Sequence, residues 1–134
     1  NKELFLDSIR QVLLYNASLD LKAWRFRAAL GGAEKYLTLR KDDPKAYFLV
    51  GEILRQRGEA EDDLRAKDFY EMAIALDPSY PDPHKAIGLI YFKEGEWVLA
   101  KRSFESSLAL SPRMHDHAYI RGYLQECNRK GIGQ

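Results

Sequence analysis

Pro78 and Pro112 each close the same short run, Ala75-Leu76-Asp77 before the first and Ala109-Leu110-Ser111 before the second. The coincidence extends backwards at the same offset. Ala66 pairs with Ala100, Tyr70 with Phe104 and Ala73 with Ser107. A chain that repeats itself with a period of about 34 residues is tightly constrained, because each copy is one supersecondary unit that buries its apolar face only by stacking on its neighbours. No run of alternating apolar residues competes as a strand, so the units are read as helical.

The fuller pattern identifies the kind of unit. The later copy reads His84-x-x-Ile87-Gly88-x-x-Tyr91, then Ala100-x-x-x-Phe104, then Pro112. The earlier copy reads Tyr47-x-x-Val50-Gly51-x-x-Leu54, then Ala66-x-x-x-Tyr70, then Pro78. Both resemble the tetratricopeptide repeat, with His84 in place of the usual leading aromatic and Leu54 in place of the usual tyrosine. The resemblance implies an all-α fold, an α-α superhelix in which antiparallel helical hairpins form a right-handed solenoid. The expected organisation is a single domain over residues 1–134. It comprises a degenerate repeat at 10–43, a repeat with a three-residue insertion at 44–80, a repeat at 81–114 and a capping helix at 115–130.

Elementary packing agrees. Gly88 and Ala100 are small where two helices would cross closely, and Tyr91 and Phe104 fill the space beside them. Lys93-Glu94-Gly95-Glu96 supplies the turn, with Gly95 able to take a positive φ. Leu108, Leu110 and Pro112 then close the second helix. The additional residues of the earlier copy fall in the run 59–65, read as a slightly longer helix with an acidic first turn rather than a calcium loop, whose ligand pattern is absent. Toward the C-terminus, Ala118-x-x-Arg121-Gly122 falls one period after His84-x-x-Ile87-Gly88 and reads as a first helix without its partner. Toward the N-terminus, Leu13 and Ala17 lie one period before Tyr47 and Gly51, and Ala29, Ala33, Tyr36 and Leu39 form the second helix. Gly31-Gly32 inside that helix marks either a close helix contact or a misplaced turn.

Composition narrows the function classes. Twenty-one basic against twenty acidic residues leave a formal charge of +1, which gives no global pull toward nucleic acid. The longest apolar stretch, Ala86–Phe92, contains Gly88 and is far too short for a membrane span. A soluble protein of the cytoplasm or periplasm is expected, with no direct membrane insertion. The start at Asn1, directly inside a helical pattern, reads as a domain excised from a longer protein. Cys127 is the single cysteine, which excludes an intrachain disulfide. Asn16-Ala17-Ser18 matches the glycosylation sequon but falls within a helical run.

No catalytic constellation emerges, so no enzyme, catalytic residue, metal or cofactor is expected. His115-Asp116-His117 has its two histidines two positions apart, which in a helix point to different sides, and it reads as a polar helix start. His84 occupies a packing place. Cys127 has no base near it in sequence.

In the tetratricopeptide family the first helix of each hairpin lines the concave side, and this implies where a partner would bind. The candidates are Lys45, Phe48, Glu52 and Arg55, then Asp82, Lys85, Leu89 and Phe92, then Tyr119, Tyr123 and Glu126. Family members that hold the acidic tails of chaperones use a clamp of lysines, asparagines and an arginine. At the matching places this chain has Leu14, Ser18, Leu49, Asp82 and Ala86, so that clamp is not expected. The expected function is a protein-protein interaction module that binds a protein or peptide ligand in its concave groove. Two alternatives stay open. One is a structural or regulatory segment of a larger protein, of the kind found in bacterial peptidases and envelope lipoproteins. The other is a homo-oligomer formed through an exposed hairpin edge.

Overall fold

The computed structural model describes residues 1–111 and 117–131. Pro112, His115 and Asp116, on which the expected helix stop and the histidine cluster rest, lie outside the described residues. Among those residues there are seven helices and no strand: α1 (Lys2–Lys22), α2 (Phe26–Leu39), α3 (Pro44–Arg57), α4 (Asp62–Leu76), α5 (Pro81–Lys93), α6 (Trp97–Leu110) and α7 (His117–Lys130). They fall into two compact units, Asn1–Leu76 and Asp77–Gln134. None of these helices is long and apolar enough to cross a membrane.

The first unit holds two hairpins, α1 with α2 and α3 with α4, and α3 also packs on α2. The Asn1 side chain caps α1 by accepting from the Glu3 amide. A short turn at residues 23–25 contains Trp24 at φ 61° and leads into α2. Ala29, Ala33 and Tyr36, at helical intervals of four and three, form the buried stripe of α2. Gly31 and Gly32 lie inside that helix, and a Cβ on Gly32 would meet the Cβ of Ala17 at 3.4 Å. Gly32 therefore marks a helix contact, Gly31 faces open space, and neither marks a turn. Tyr36 reaches across to the next hairpin and donates its hydroxyl to Asp43, which caps α3 by accepting from the Lys45 amide. Burial first, and then the Asp43 carboxylate, push the Tyr36 phenol up to about 12.

Between α3 and α4 the three inserted residues are shared out. Relative to α5 and α6, α3 runs one residue further, the turn is one residue longer and α4 starts one residue earlier. The expected helix extension thus accounts for only part of the insertion. Gly58 at φ 67° ends α3, and Asp62 closes the turn by accepting from Arg57 at 2.8 and 2.9 Å and from the Glu59 amide. The Arg57 hydrogen bonds hold the Asp62 carboxyl below its ordinary range, against the opposing effect of burial.

The second unit contains the α5–α6 hairpin and α7 packed on α6. Pro81 starts α5, where a missing amide costs nothing. Gly95 at φ 77° makes the turn into α6. Phe104 and Ala100 of α6 form one buried cluster with Ile120 and Cys127 of α7. Both units repeat one close approach. A Cβ on Gly51 would lie 2.5 Å from the Tyr70 ring, and one on Gly88 2.7 Å from the Phe104 ring. The glycine of the first helix is thus the floor on which the aromatic of the second helix rests. His84 sits half-buried near the start of α5, and burial lowers its pKa from the ordinary 6.5.

Candidate functional site

The α3 face is built by its helical period, which brings Lys45, Phe48, Glu52 and Arg55 onto one side. Lys45 is exposed in the first turn. Phe48 is half-buried and tilts against Tyr70 of α4, with ring centroids 5.7 Å apart. The two charged residues are bound to each other. Arg55 donates to both carboxylate oxygens of Glu52 at 3.0–3.1 Å, and also to the hydroxyl of Tyr70 at 3.2 Å. Tyr70 in turn donates to Glu52 at 2.6 Å. Burial first, then the Glu52 charge, raise the Tyr70 phenol far above its usual range and keep it a donor. Burial works against the Arg55 charge, but Glu52 and Tyr70 together hold its pKa above the ordinary value. This triad fastens α3 to α4, an engagement that the sequence pattern did not reveal. Its signal was the i, i+3 placement of Glu52 and Arg55, a helical ion-pair spacing.

In the second unit the aromatic residues converge. Tyr123 of α7 stacks on Phe104 at 5.3 Å and makes a T-shaped contact with Phe92 of α5 at 4.8 Å. Phe92 also meets Trp97 edge-on at 5.2 Å, a contact that spans the α5–α6 turn. Tyr119, one turn before Tyr123, lies edge-on to it at 5.1 Å, and the two hydroxyls are 3.3 Å apart. The ammonium of Lys85 stands 5.3 Å from the centre of the Tyr119 ring, a cation–π distance. Leu89 packs beneath against the Phe104 cluster.

Gly122 lies beside these rings with no atom within 4 Å of where its Cβ would be. The consequence is an open cavity of about 190 Å³ lined by Phe92, Tyr119, Gly122, Tyr123 and Glu126. Tyr119 remains 50% exposed on its rim. Glu126 is paired with Arg129 at 2.7 Å, which holds its carboxyl below the ordinary value. The cavity is therefore an aromatic cup with a neutralised acidic edge. Of the sequence candidates, Lys85, Leu89, Phe92, Tyr119, Tyr123 and Glu126 come together here, whereas Asp82 stays exposed at the start of α5 and does not line the cup. Gly122 was legible only as a repeat position, and its role as the gap in the cup was not.

The remaining chemistry is quiet. Cys127 is buried, and burial pushes its thiol up, which keeps it neutral. Where a chaperone-tail clamp would sit, Ser18 spends its hydroxyl on the Leu14 carbonyl and Ala86 is buried.

Solved structures similar to this chain are tetratricopeptide domains. One is the first such domain of Spaghetti (RPAP3) bound to the HSP90 peptide SRMEEVD, at TM-score 0.81 and 17% identity over 94% of this chain and 95% of that one. A second is the TPR2B domain of yeast Sti1 in complex with pHsp70, at TM-score 0.80 and 10% identity over 92% and 98%. A third is the Yersinia enterocolitica type III secretion chaperone SycD in complex with a peptide of the translocator YopD, at TM-score 0.83 and 15% identity over 93% and 95%. Among curated proteins, mouse protein O-mannosyl-transferase TMTC1 is 33% identical over 88 residues, 63% of this chain. The chain spans only 9% of that relative's length. No family model matches the chain. These likenesses show the fold: a tetratricopeptide-type solenoid of helical hairpins.

Proposed function

We propose that the chain is a protein-interaction module that holds a peptide or a partner's surface by seating an apolar side chain in the aromatic cup of α5 and α7. The observation that carries this reading is the open cavity rimmed by half-exposed Tyr119, whose walls Phe92 and Tyr123 are fixed from behind by Trp97 and Phe104. Preorganised aromatic walls lose little conformational freedom on binding, and such pockets are where binding energy concentrates. Within the same unit, Leu89 and Lys85 offer secondary contacts. In the first unit, Lys45 and Phe48 offer a contact of their own on α3. The Glu52–Arg55 pair shapes that α3 surface without offering an unmatched charge.

Two solved structures of this fold hold peptides and a third is a complex with pHsp70, which supports a peptide as ligand. The ligand favoured here differs in chemistry from an acidic tail. Leu14, Leu49 and Ala86 provide no cationic donor at the clamp places, and Asp82 repels a carboxylate. An extended or helical segment with a leucine or aromatic anchor fits the cup instead.

The test is site-specific photocrosslinking. A photoreactive phenylalanine at Tyr119 or Phe48 is expected to capture ligand from a peptide library rich in apolar anchors, while the same probe at Glu105 of α6 captures none. Tyr119→Ala is expected to weaken the selected peptide about tenfold or more with little change in thermal stability, since half of that side chain is already exposed. Crosslinks confined to α2, α4 and α6 would refute the reading.

A further inference from the structure

The geometry points to a second, separate contact surface: the exposed apolar stripe of α1 is a self-complementary seam on which a second copy of this chain packs, antiparallel, about a two-fold axis at Val12. α1 has 21 residues where the other helices have 13 to 15, and Ala17 is its one buried residue. Leu4, Phe5, Ile9, Val12, Tyr15 and Leu19 are instead 37% to 67% exposed. From Phe5 onward they recur at intervals of three and four along one side of the helix, the spacing of a helix-packing seam.

Repeat equivalence shows that this side is one the fold covers elsewhere. Val12 and Leu19 stand one repeat period before Ala46 and Ile53, both fully buried in α3, which packs on α2. In α1 the same positions carry large apolar groups and remain open.

Two observations select a second copy as the occupant. The first is positional symmetry. Reflecting the stripe about Val12 exchanges Phe5 with Leu19 and Ile9 with Tyr15, and leaves Val12 facing itself. An antiparallel pair of identical α1 helices in this register therefore sets the five apolar positions Phe5, Ile9, Val12, Tyr15 and Leu19 against one another, as an isologous interface requires, with the polar pair Ser8 and Asn16 facing each other between them. The second is size. The exposed surface of the five paired residues, 37% to 66% exposed, is ~500 Å² per copy, about two thirds of the ~800 Å² a side of a standard interface.

The shape of the stripe agrees. Ser8 is small and leaves a notch of about 260 Å³ lined by Phe5, Ser8, Ile9, Val12 and Leu13. In the antiparallel register Tyr15 of the second copy lies opposite Ile9, at the edge of this notch, where it can enter as a knob into a hole. Ser8 brings no orphan donor into the seam, because its hydroxyl already donates to the Leu4 carbonyl. Asp7 and Arg10 pair with each other at 2.6 Å.

Sedimentation and disulfide trapping test the seam on the chain as it stands. A dimer is expected at micromolar concentration. Val12→Glu places two carboxylates face to face on the axis and is expected to raise the dissociation constant ~100-fold, since the change acts twice. Tyr15→Glu is expected to act in the same direction, and unchanged helical circular dichroism in both variants shows that folding is intact. Register is read by cysteines. Val12→Cys is expected to form a disulfide dimer on oxidation, and a mixture of Phe5→Cys and Leu19→Cys is expected to form the mixed dimer. Phe5→Cys alone is expected to form none, because its two copies would lie ~21 Å apart along the paired helices. A chain that stays monomeric to ~200 μM overturns the proposal, that concentration being well above the micromolar range of ordinary interfaces. So does a dimer indifferent to Val12→Glu, or self-crosslinking at Phe5→Cys. Peptide capture at Tyr119 is independent of all these outcomes.

Discussion

Replacing a helical glycine by alanine normally stabilises a helix, by ~0.5–1 kcal/mol, because alanine has less backbone freedom to lose. This molecule contains glycines for which that gain is expected to appear and glycines for which it is expected to reverse. Nothing lies within 4 Å of a Cβ on Gly31 in α2 or on Gly122 in α7. Gly88 is the opposite case: its Cβ would meet three carbons of the Phe104 ring at 2.7, 2.8 and 3.1 Å. Normal carbon contacts begin near ~3.5 Å, so the ring must retreat by most of an ångström. Phe104 is fully buried against Ala100, Ile120 and Cys127 and stacks on Tyr123, so it has nowhere to retreat without displacing α7. Overpacking of this kind costs ~1–3 kcal/mol, which exceeds the propensity gain. Gly88→Ala is therefore expected to destabilise by ~1–2 kcal/mol net, and Gly31→Ala to stabilise by ~0.5–1 kcal/mol. Urea unfolding followed by circular dichroism measures both. The double variant Gly88→Ala, Phe104→Leu should recover part of the loss, because the smaller side chain vacates the ring's space. A Gly88→Ala protein as stable as Gly31→Ala would refute the claim that the hairpin is built on this contact.

Asp62→Ala removes the acceptor for Arg57 and for the Glu59 amide in a buried turn, and is expected to cost ~1–3 kcal/mol by the same assay. Because the Asp62 carboxyl is depressed in the folded state, its contribution is present above the unfolded carboxylate pKa and is lost as pH falls through the lower folded value. His84 gives a second pH signature. Its folded pKa is below 6.5, so the unfolded state binds more protons, and stability should decline as pH falls from 6.5 toward the folded value. His84→Phe, which removes the titrating ring and places an aromatic there, should flatten that part of the profile relative to the parent chain. Finally, peptide binding in the aromatic cup should change less than ~3-fold between ~0.05 and ~0.5 M salt, since the pairs Glu52–Arg55 and Glu126–Arg129 leave those charges matched. A salt slope typical of acidic-tail recognition would contradict the choice of an apolar anchor.

The hairpins were legible because a repeat samples the same geometry more than once. One Gly facing one aromatic would be an accident of composition, but Gly51 with Tyr70 and Gly88 with Phe104 mark a shared packing rule that has direct steric content. The turn glycines were equally readable, since Gly95 adopts the positive φ that few other residues tolerate. The insertion was read less well. Its length could be counted, but its division among helix end, turn and helix start depends on Asp62 folding back onto Arg57 and the Glu59 amide, a tertiary choice with no periodic signature. Gly31-Gly32 resisted for the same reason. Its meaning lies in Ala17 on the other helix of the hairpin, beyond the reach of any local pattern around Gly32.

For the candidate site, helical periodicity named the residues on a face but could not say which of them were already engaged. Glu52 and Arg55 occupy that face and yet spend their hydrogen-bonding capacity on each other and on Tyr70. A buried tyrosine hydroxyl in α4 needs an acceptor, and Glu52 supplies it; Arg55 then keeps the carboxylate charged. The pair is thus a consequence of placing tyrosine where the later repeat has phenylalanine. Phe104 makes no such demand, and the corresponding region of the second unit carries Leu89 and Phe92 instead of an ion pair. That single hydroxyl separates the two faces chemically: one is cross-braced and polar, the other is aromatic. With Gly122 leaving the space beside Tyr123 open, the second face carries a cavity between Phe92 of α5 and Tyr119 and Tyr123 of α7.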